Sequence, residues 1–503
     1  MSSIAPSSRT LRVHFAFLAL TVLALRPIAW AQPEKPAEFA AHYGLNPDFP
    51  ATFTGAADVT LSWASTDATV TRWKITKKAW GQQAWETITL SDPAARSYRD
   101  TGALKDTPTI NYQIAAINAA GQSAYATVTA WRLAPSYAAT PTWSWPNAEV
   151  WIANPPGTSA AVVDHGENRL SFKDRDQWPQ LAEQIDGVAL FYSSIQNASP
   201  AELRALADAL AATPTRKRIK VGIELGVFLS TKLRSGNPAG SRAGVESFAA
   251  HHQALKRFTD PVAQGGAGGV IDFLFMDGPI HRAMYPKTDD SPHTLPSASE
   301  QVVQWMEQFK RVYPHLGFQL ICNFSSWSYA GVPARNSRPQ AHGPAGFGNY
   351  DDVVATLLPL AARRGVPFTG VLTDYAYDAF NNEAATDQPA LVRGRDYRGR
   401  LLALRNRITS LDLGPGGAPL TFGMLCNSNR GTIAGNYATR VELFNYFEEL
   451  HELGLTPDVV IIESWNRNPT HWMPETRPDS MTHIVRRALQ RLRYQRDTPA
   501  ATP

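Results

Sequence analysis

Val459-Val460-Ile461-Ile462-Glu463-Ser464 decides the fold: four β-branched apolar residues run without alternation straight into a carboxylate. A strand with one wet face alternates apolar and polar side chains, so an unbroken run describes a strand covered on both faces, the condition of a parallel sheet. Working outward, the same pattern recurs at Val188 to Tyr192, Ile219 to Phe228, Val270 to Asp277, Phe318 to Asn323, Gly370 to Asp374 and Leu420 to Asn427. Each run is followed by a stretch with helical spacing. With a first strand at either Val150-Trp151-Ile152 or Ala161-Val162-Val163, eight strand–helix units lie between Glu149 and Arg493. Eight such units predict an α/β architecture closed into a (β/α)8 TIM barrel, which keeps its chemistry at the C-terminal ends of its strands.

Capping residues mark several helix starts. Ser199-Pro200-Ala201-Glu202 places a Ser N-cap before a Pro and a reciprocating Glu, and Ser297-Ala298-Ser299-Glu300 and Thr439-Arg440-Val441-Glu442 read the same way. The structural competitor, a doubly wound open sheet, carries a glycine-rich phosphate turn after an early strand. Here Gly265-Gly266-Ala267-Gly268-Gly269 precedes its strand and reads as a turn.

The 503 residues carry 48 Lys and Arg against 44 Asp and Glu, a formal charge of +4 without a dense basic run, which argues against a nucleic-acid partner. Residues 1–31 read as an export signal, with Arg9 and Arg12 before the apolar Phe15 to Leu25 and Ala29-Trp30-Ala31 as the cleavage pattern. The expected location is therefore secreted or periplasmic, with no membrane span after signal cleavage. Residues 32–46 read as a linker, 47–134 as an all-β domain, 135–148 as a Pro/Trp connector, 149–495 as the catalytic barrel and 496–503 as a disordered tail. Within the all-β part, Leu61-Ser62-Trp63 and Trp73-Lys74-Ile75 alternate as half-buried strands do.

Tyr112-Gln113-Ile114-Ala115-Ala116-Ile117-Asn118-Ala119-Ala120-Gly121-Gln122-Ser123 resembles the penultimate strand and turn of a fibronectin type III domain, and Trp63 fits the early-strand Trp of that family. The resemblance covers about 85 residues. It implies an all-β sandwich preceding the barrel and serving as a spacer or docking module.

Cys322 and Cys426 each end a barrel strand and read as buried free thiols. No His-x-His occurs, and His251-His252, His281 and His293 form no recognisable ligand set, so neither a metal nor another cofactor is expected. A Gly-x-Ser-x-Gly nucleophile elbow is also missing.

Glycosidic cleavage needs two carboxyl groups, one donating a proton to the leaving oxygen and one attacking the anomeric carbon or activating water. Four carboxylates stand at strand ends: Glu224 on the third strand, Asp277 on the fourth, Asp374 on the sixth and Glu463 on the eighth. Asp277 and Asp374 are the preferred pair. Their placement resembles the clan of retaining glycosidases that includes α-galactosidases and α-glucosidases. That resemblance is positional and implies Asp277 as nucleophile and Asp374 as acid/base. The clan with an Asn-Glu pair on strand four and Glu on strand seven fits worse, because those strands end in Asp277 and Asn427.

Glu224 and Glu463 are alternates for either role. Asn323 and Asn427 suit sugar hydroxyls, Tyr375, Tyr377, Trp327 and Trp465 are candidate stacking platforms, and Arg467 and His471 suit an acidic sugar. The expected function is a glycoside hydrolase acting on an oligo- or polysaccharide. The rivals are a non-catalytic carbohydrate-binding surface protein and a polysaccharide lyase using Arg467 and His471.

Overall fold

A computed structural model describes residues 32–42, 58–79, 82, 84–104, 109–131, 143–153, 170–214, 216–225, 242–284, 293–334, 346–380, 396–427, 431–464, 469, 471–477 and 480–493. The expected signal segment, the tail at 496–503, most of the connector and the alternative first strand at Ala161-Val162-Val163 lie outside the described residues.

The N-terminal part is a β-sandwich. One sheet pairs β1 (Ala37–His42), β2 (Val59–Ala64) and β5 (Ser97–Asp100); the other runs β4 (Glu86–Leu90), β3 (Arg72–Ala79), β6 (Thr109–Asn118) and β7 (Gly121–Gln122), with β8 (Ala126–Trp131) also on β6. Trp63 and Trp73 meet between the sheets with ring centroids 5.5 Å apart. The turn quoted above explains itself: Asn118 Oδ1 accepts from Ala120 N–H at 2.8 Å, and Ser123 Oγ accepts from Ala116 N–H at 3.0 Å. Residues 37–42, expected within a linker, instead form β1 against β2. An edge strand needs one partner only, so an Ala-rich segment of modest β-propensity suffices there.

The remaining strands are all parallel and close on themselves: β9 (Glu149–Ala153), β10 (Gly187–Phe191), β11 (Lys220–Glu224), β12 (Phe273–Asp277), β13 (Gly317–Asn323), β14 (Gly370–Asp374), β15 (Thr421–Cys426) and β16 (Val459–Ile462), with β16 returning to β9. The helices are α1 (Pro179–Gln184), α2 (Tyr192–Asn197), α3 (Pro200–Leu210), α4 (Ala243–Thr259), α5 (Pro279–Met284), α6 (Leu295–Val312), α7 (Tyr350–Arg363), α8 (Tyr377–Phe380), α9 (Tyr397–Thr409), α10 (Gly431–Glu452) and α11 (Met481–Leu492).

The Ser199 capping box at α3 forms as read. Two other starts are corrected. The N-cap of α6 is Thr294, because Pro296 fits the first turn and the helix therefore begins before Ser297. Thr439 lies inside α10, whose opening turns are disguised by the weak helix formers Gly431, Gly435 and Asn436.

The barrel interior follows from two-residue alternation. Trp151, Ala189, Phe275, Ile321, Leu372, Leu425 and Ile461 point inward and form one apolar cluster, while Ile152, Leu190, Met276, Cys322, Cys426 and Ile462 join the outer layer under the helices. Trp151 meets Phe273 and Phe275 edge-on at 5.7 and 5.4 Å and fills the floor. Gly222 is required beside them, since a Cβ there would lie 2.2 Å from the Phe275 ring.

Helix α10 is buried on every side from Glu442 to Glu448. The reason is that β8 of the sandwich packs against it, so the helix lies between two domains. Trp143 reinforces the joint: its Nε1 donates to Glu448 at 2.8 Å, its ring stacks on His451 at 4.5 Å, and Arg491 lies 4.0 Å over it while pairing with Glu448.

Candidate active site

The alternation that points Phe275, Ile321, Leu372, Leu425 and Ile461 inward also points inward the residue two positions later. On consecutive strands this puts Glu224, Asp277, Asn323, Asp374, Asn427 and Glu463 in one ring at the C-terminal mouth of the barrel. Ala153 of β9 and Phe191 of β10 close the ring on the apolar side. All four carboxylates come within electrostatic reach: burial first, then Asp277, Glu463 and Asp374, push the Glu224 carboxyl well above its usual range, against the opposing pull of Arg282.

Register explains the contacts. Asn323 and Asp374 are cross-strand partners, and Asn323 Nδ2 donates to Asp374 Oδ2 at 3.0 Å. Asn427 follows Cys426, the partner of Ile462, and so stands beside Glu463. Its Nδ2 donates to Glu463 Oε1 at 2.8 Å and to Asp374 Oδ1 at 3.1 Å. Both Asp374 oxygens are thus held by amides. Burial nevertheless dominates and pushes the Asp374 carboxyl up to about 6, with Asp277 adding to the rise and the two Asn donors opposing it.

Asp277 is held differently. Arg282 on α5 donates to Asp277 Oδ2 at 2.6 Å and, through Nε, to its backbone oxygen at 3.2 Å. Asp277 Oδ1 is buried and has no hydrogen-bond partner among the described residues. One oxygen is tied by a charge-assisted bond while the other is left buried without one. Gly278, at φ +50°, lets the chain turn at once into α5: a Cβ there would lie 2.0 Å from His281 Cε1 and 2.8 Å from Asn323 Oδ1. His281 stacks on Phe347 at 4.3 Å, and burial lowers its imidazole to about 4, so it is neutral near physiological pH.

Three of the expected stacking platforms are buried. Trp327 is 3% exposed and packs on Phe347 and Tyr350; Tyr375 is fully buried against Phe324; Tyr377 is 3% exposed and donates to Glu449 at 2.8 Å. They pack into the wall behind the ring. Arg400 explains why: buried on α9, it donates to the carbonyls of Phe324 and Trp327 and lies 4.1 Å over the Phe324 ring, drawing the loop after β13 inward. His471 is half-buried, and its carbonyl accepts from Met481 N–H at 2.9 Å, tying its loop to α11. Trp465 and Arg467 lie outside the described residues.

Arg282 and Phe191 stand at the ring although the sequence does not single them out, and His281, weighed there only as a metal ligand, packs beside Gly278. The available signal for Arg282 was Pro279, which starts a short helix just past Asp277 and returns residue 282 toward the strand end. Among the described residues, no cluster of three or more His, Cys, Asp or Glu is disposed to hold a metal ion. No helix among them is long and apolar enough to cross a membrane.

No protein-family model and no curated protein matches the chain. Solved structures overlap it over about a fifth of its length. The fn3 domain of the human collagen alpha-1(XX) chain is 18% identical, covering 21% of this chain and 89% of that one with a TM-score of 0.16. The FN1–FN3 domains of chicken CNTN1 are 16% identical, covering 20% and 30%, TM-score 0.16. A myokine is 17% identical, covering 20% and 98%, TM-score 0.17. Overlaps this slight add no weight beyond the strand pairing itself. The chain is a mixed α/β protein in which a closed, eight-stranded parallel barrel follows an N-terminal β-sandwich.

Proposed function

We propose that this chain is a glycoside hydrolase, with Asp277 as nucleophile or base and Asp374 as general acid. The observation that carries the reading is the division of labour between two carboxyls in one ring. Asp277 Oδ2 is fixed by Arg282 while Oδ1 is buried without a partner among the described residues. Asp374 has its carboxyl raised to about 6, so a proton is available near neutrality for a leaving oxygen. A binding protein has no use for a ring of four carboxylates, three of them buried, whose charges oppose one another; a hydrolase uses that opposition to keep one acid protonated. Glu224 and Glu463 surround the pair and, with Asn323 and Asn427, suit the hydroxyls of the sugar.

The test is reducing-end release from a panel of polysaccharides by the wild type, Asp277→Asn and Asp374→Asn. The reading expects wild-type activity on one glycan and a fall of at least about 10³-fold in each variant with the fold retained. Near-normal turnover in either variant removes that residue from the mechanism, and a chain that binds a glycan without cleaving it is a binding protein.

A further inference from the structure

Asn427 reaches two carboxyls, one on each neighbouring strand. Asp374 on β14 is the cross-strand partner of Leu425, so Asn427, two residues further along the same face of β15, stands one step above it. Ile461 is the partner of Leu425 on the other side, and Glu463, two residues beyond Ile461, stands beside Asn427. Asn427 Nδ2 carries two N–H groups and donates to both carboxyls, to Glu463 Oε1 at 2.8 Å and to Asp374 Oδ1 at 3.1 Å. The sharing leans toward Glu463. From the opposite strand, Asn323 donates to the other Asp374 oxygen at 3.0 Å. Asn427 and Glu463 are both buried, so water competes little for the shared bonds.

We propose that Asn427 is a positioning residue whose one amide nitrogen couples the protonation of Asp374 to Glu463 and so makes Glu463 a working part of the acid. The place of this coupling in a reaction rests on the glycosidase reading; the coupling itself does not. A donor binds a carboxylate more strongly than a neutral carboxyl. While Asp374 holds its proton, the amide is drawn to Glu463, the shorter of its two bonds. Once that proton has passed to the leaving oxygen, the same nitrogen supports the carboxylate left on Asp374, with Asn323 on its other oxygen. Other groups act on the pair from the remaining elements. Asp277 on β12, itself paired with Arg282 on α5, raises the Asp374 carboxyl, and Glu224 on β11 feels Asp374 and Glu463 alike. The buried thiols of Cys322 on β13 and Cys426 on β15 lie within electrostatic reach of Asp374 and Glu463 respectively.

The test needs no substrate. Infrared titration of the full chain follows the two carboxyls, each assigned by the band lost in Asp374→Asn or in Glu463→Gln. Asn427→Ala should raise the midpoints of both by about half a pH unit or more, the net effect of one lost hydrogen bond. Asn323→Ala should raise that of Asp374 alone. Should Asn427→Ala not fold, Asn427→Ser takes its place, its hydroxyl being too short to span both carboxyls. Midpoints that stay in place in the Asn427 variant, or a shift of just one, overturn the proposal, and so does an Asn323→Ala chain in which both move equally. On a glycan that the wild type cleaves, the alkaline limb of kcat/KM should move upward with the Asp374 midpoint in Asn427→Ala. A limb that stays fixed while the midpoint moves overturns the positioning role. Should no glycan be cleaved, the glycosidase reading falls and the two midpoints alone decide the coupling.

Discussion

Asp374 makes the stability of the whole chain depend on pH in a way that one substitution should remove. Its carboxyl is raised from 3.8 to about 6 by burial, and at ~1.4 kcal/mol per pH unit that rise is worth about 3 kcal/mol. Below 3.8 the carboxyl is protonated in both the folded and the unfolded chain, and no penalty exists. Between 3.8 and about 6 the unfolded chain releases the proton and the folded chain keeps it, so stability falls as pH rises. Above that range the folded carboxylate is ionised and the full penalty applies.

Asp374→Asn keeps the shape and abolishes the titration. The new amide nitrogen meets Asn323 or Asn427 donor to donor, at a cost of roughly 1–3 kcal/mol, but that cost is the same at every pH. Glu224 shares the direction of the shift and is present in both proteins, so it largely cancels in the comparison. Urea unfolding of both proteins between pH 4 and pH 7.5, followed by circular dichroism, should show the variant gaining about 2.5 kcal/mol on the wild type across the range. Parallel curves would refute the buried-acid account of Asp374.

The same carboxyl predicts the rate profile: on an active glycan, kcat/KM should fall about tenfold per pH unit above about pH 6, and Asp374→Asn should lose that alkaline limb. Arg282→Met leaves Asp277 buried without its counter-charge and should cost about 3 kcal/mol by urea unfolding, with Arg282→Lys restoring part of the loss. Deleting the sandwich bares the outer face of α10. Exposing even two of its large apolar side chains costs about 3–6 kcal/mol, so the isolated barrel should melt well below the full chain in calorimetry, and an unchanged melting temperature would show that the sandwich is a mere spacer.

The fold was legible because its determinants are local. Val459 to Ile462 and the other apolar runs announce parallel strands, and the eightfold repeat announces closure. The ring was legible too, since alternation carries Glu224, Asp277, Asn323, Asp374, Asn427 and Glu463 to one face from strand ends visible in the sequence. What the sequence hid was tertiary. Trp327, Tyr375 and Tyr377 follow strand ends just as a sugar platform would, and only the inward pull of Arg400 and α10 shows them to be wall. The docking of β8 on α10 likewise has no local signature, because Glu442, Asn445 and Glu448 recur at helical spacing as a solvent-facing stripe does and yet are buried. Residues 37–42 were missed because pairing with β2, and not their own propensity, makes them a strand.

The most direct test of the account is a crystal structure of Asp374→Asn with an oligosaccharide that the wild type cleaves. The account predicts a sugar inside the ring of strand ends, its anomeric carbon about 3–3.5 Å from Asp277 Oδ1 and its glycosidic oxygen within hydrogen-bond reach of residue 374. An oligosaccharide seated elsewhere, such as against the exposed Trp85 of the sandwich, with the ring of carboxylates and amides untouched, would contradict it.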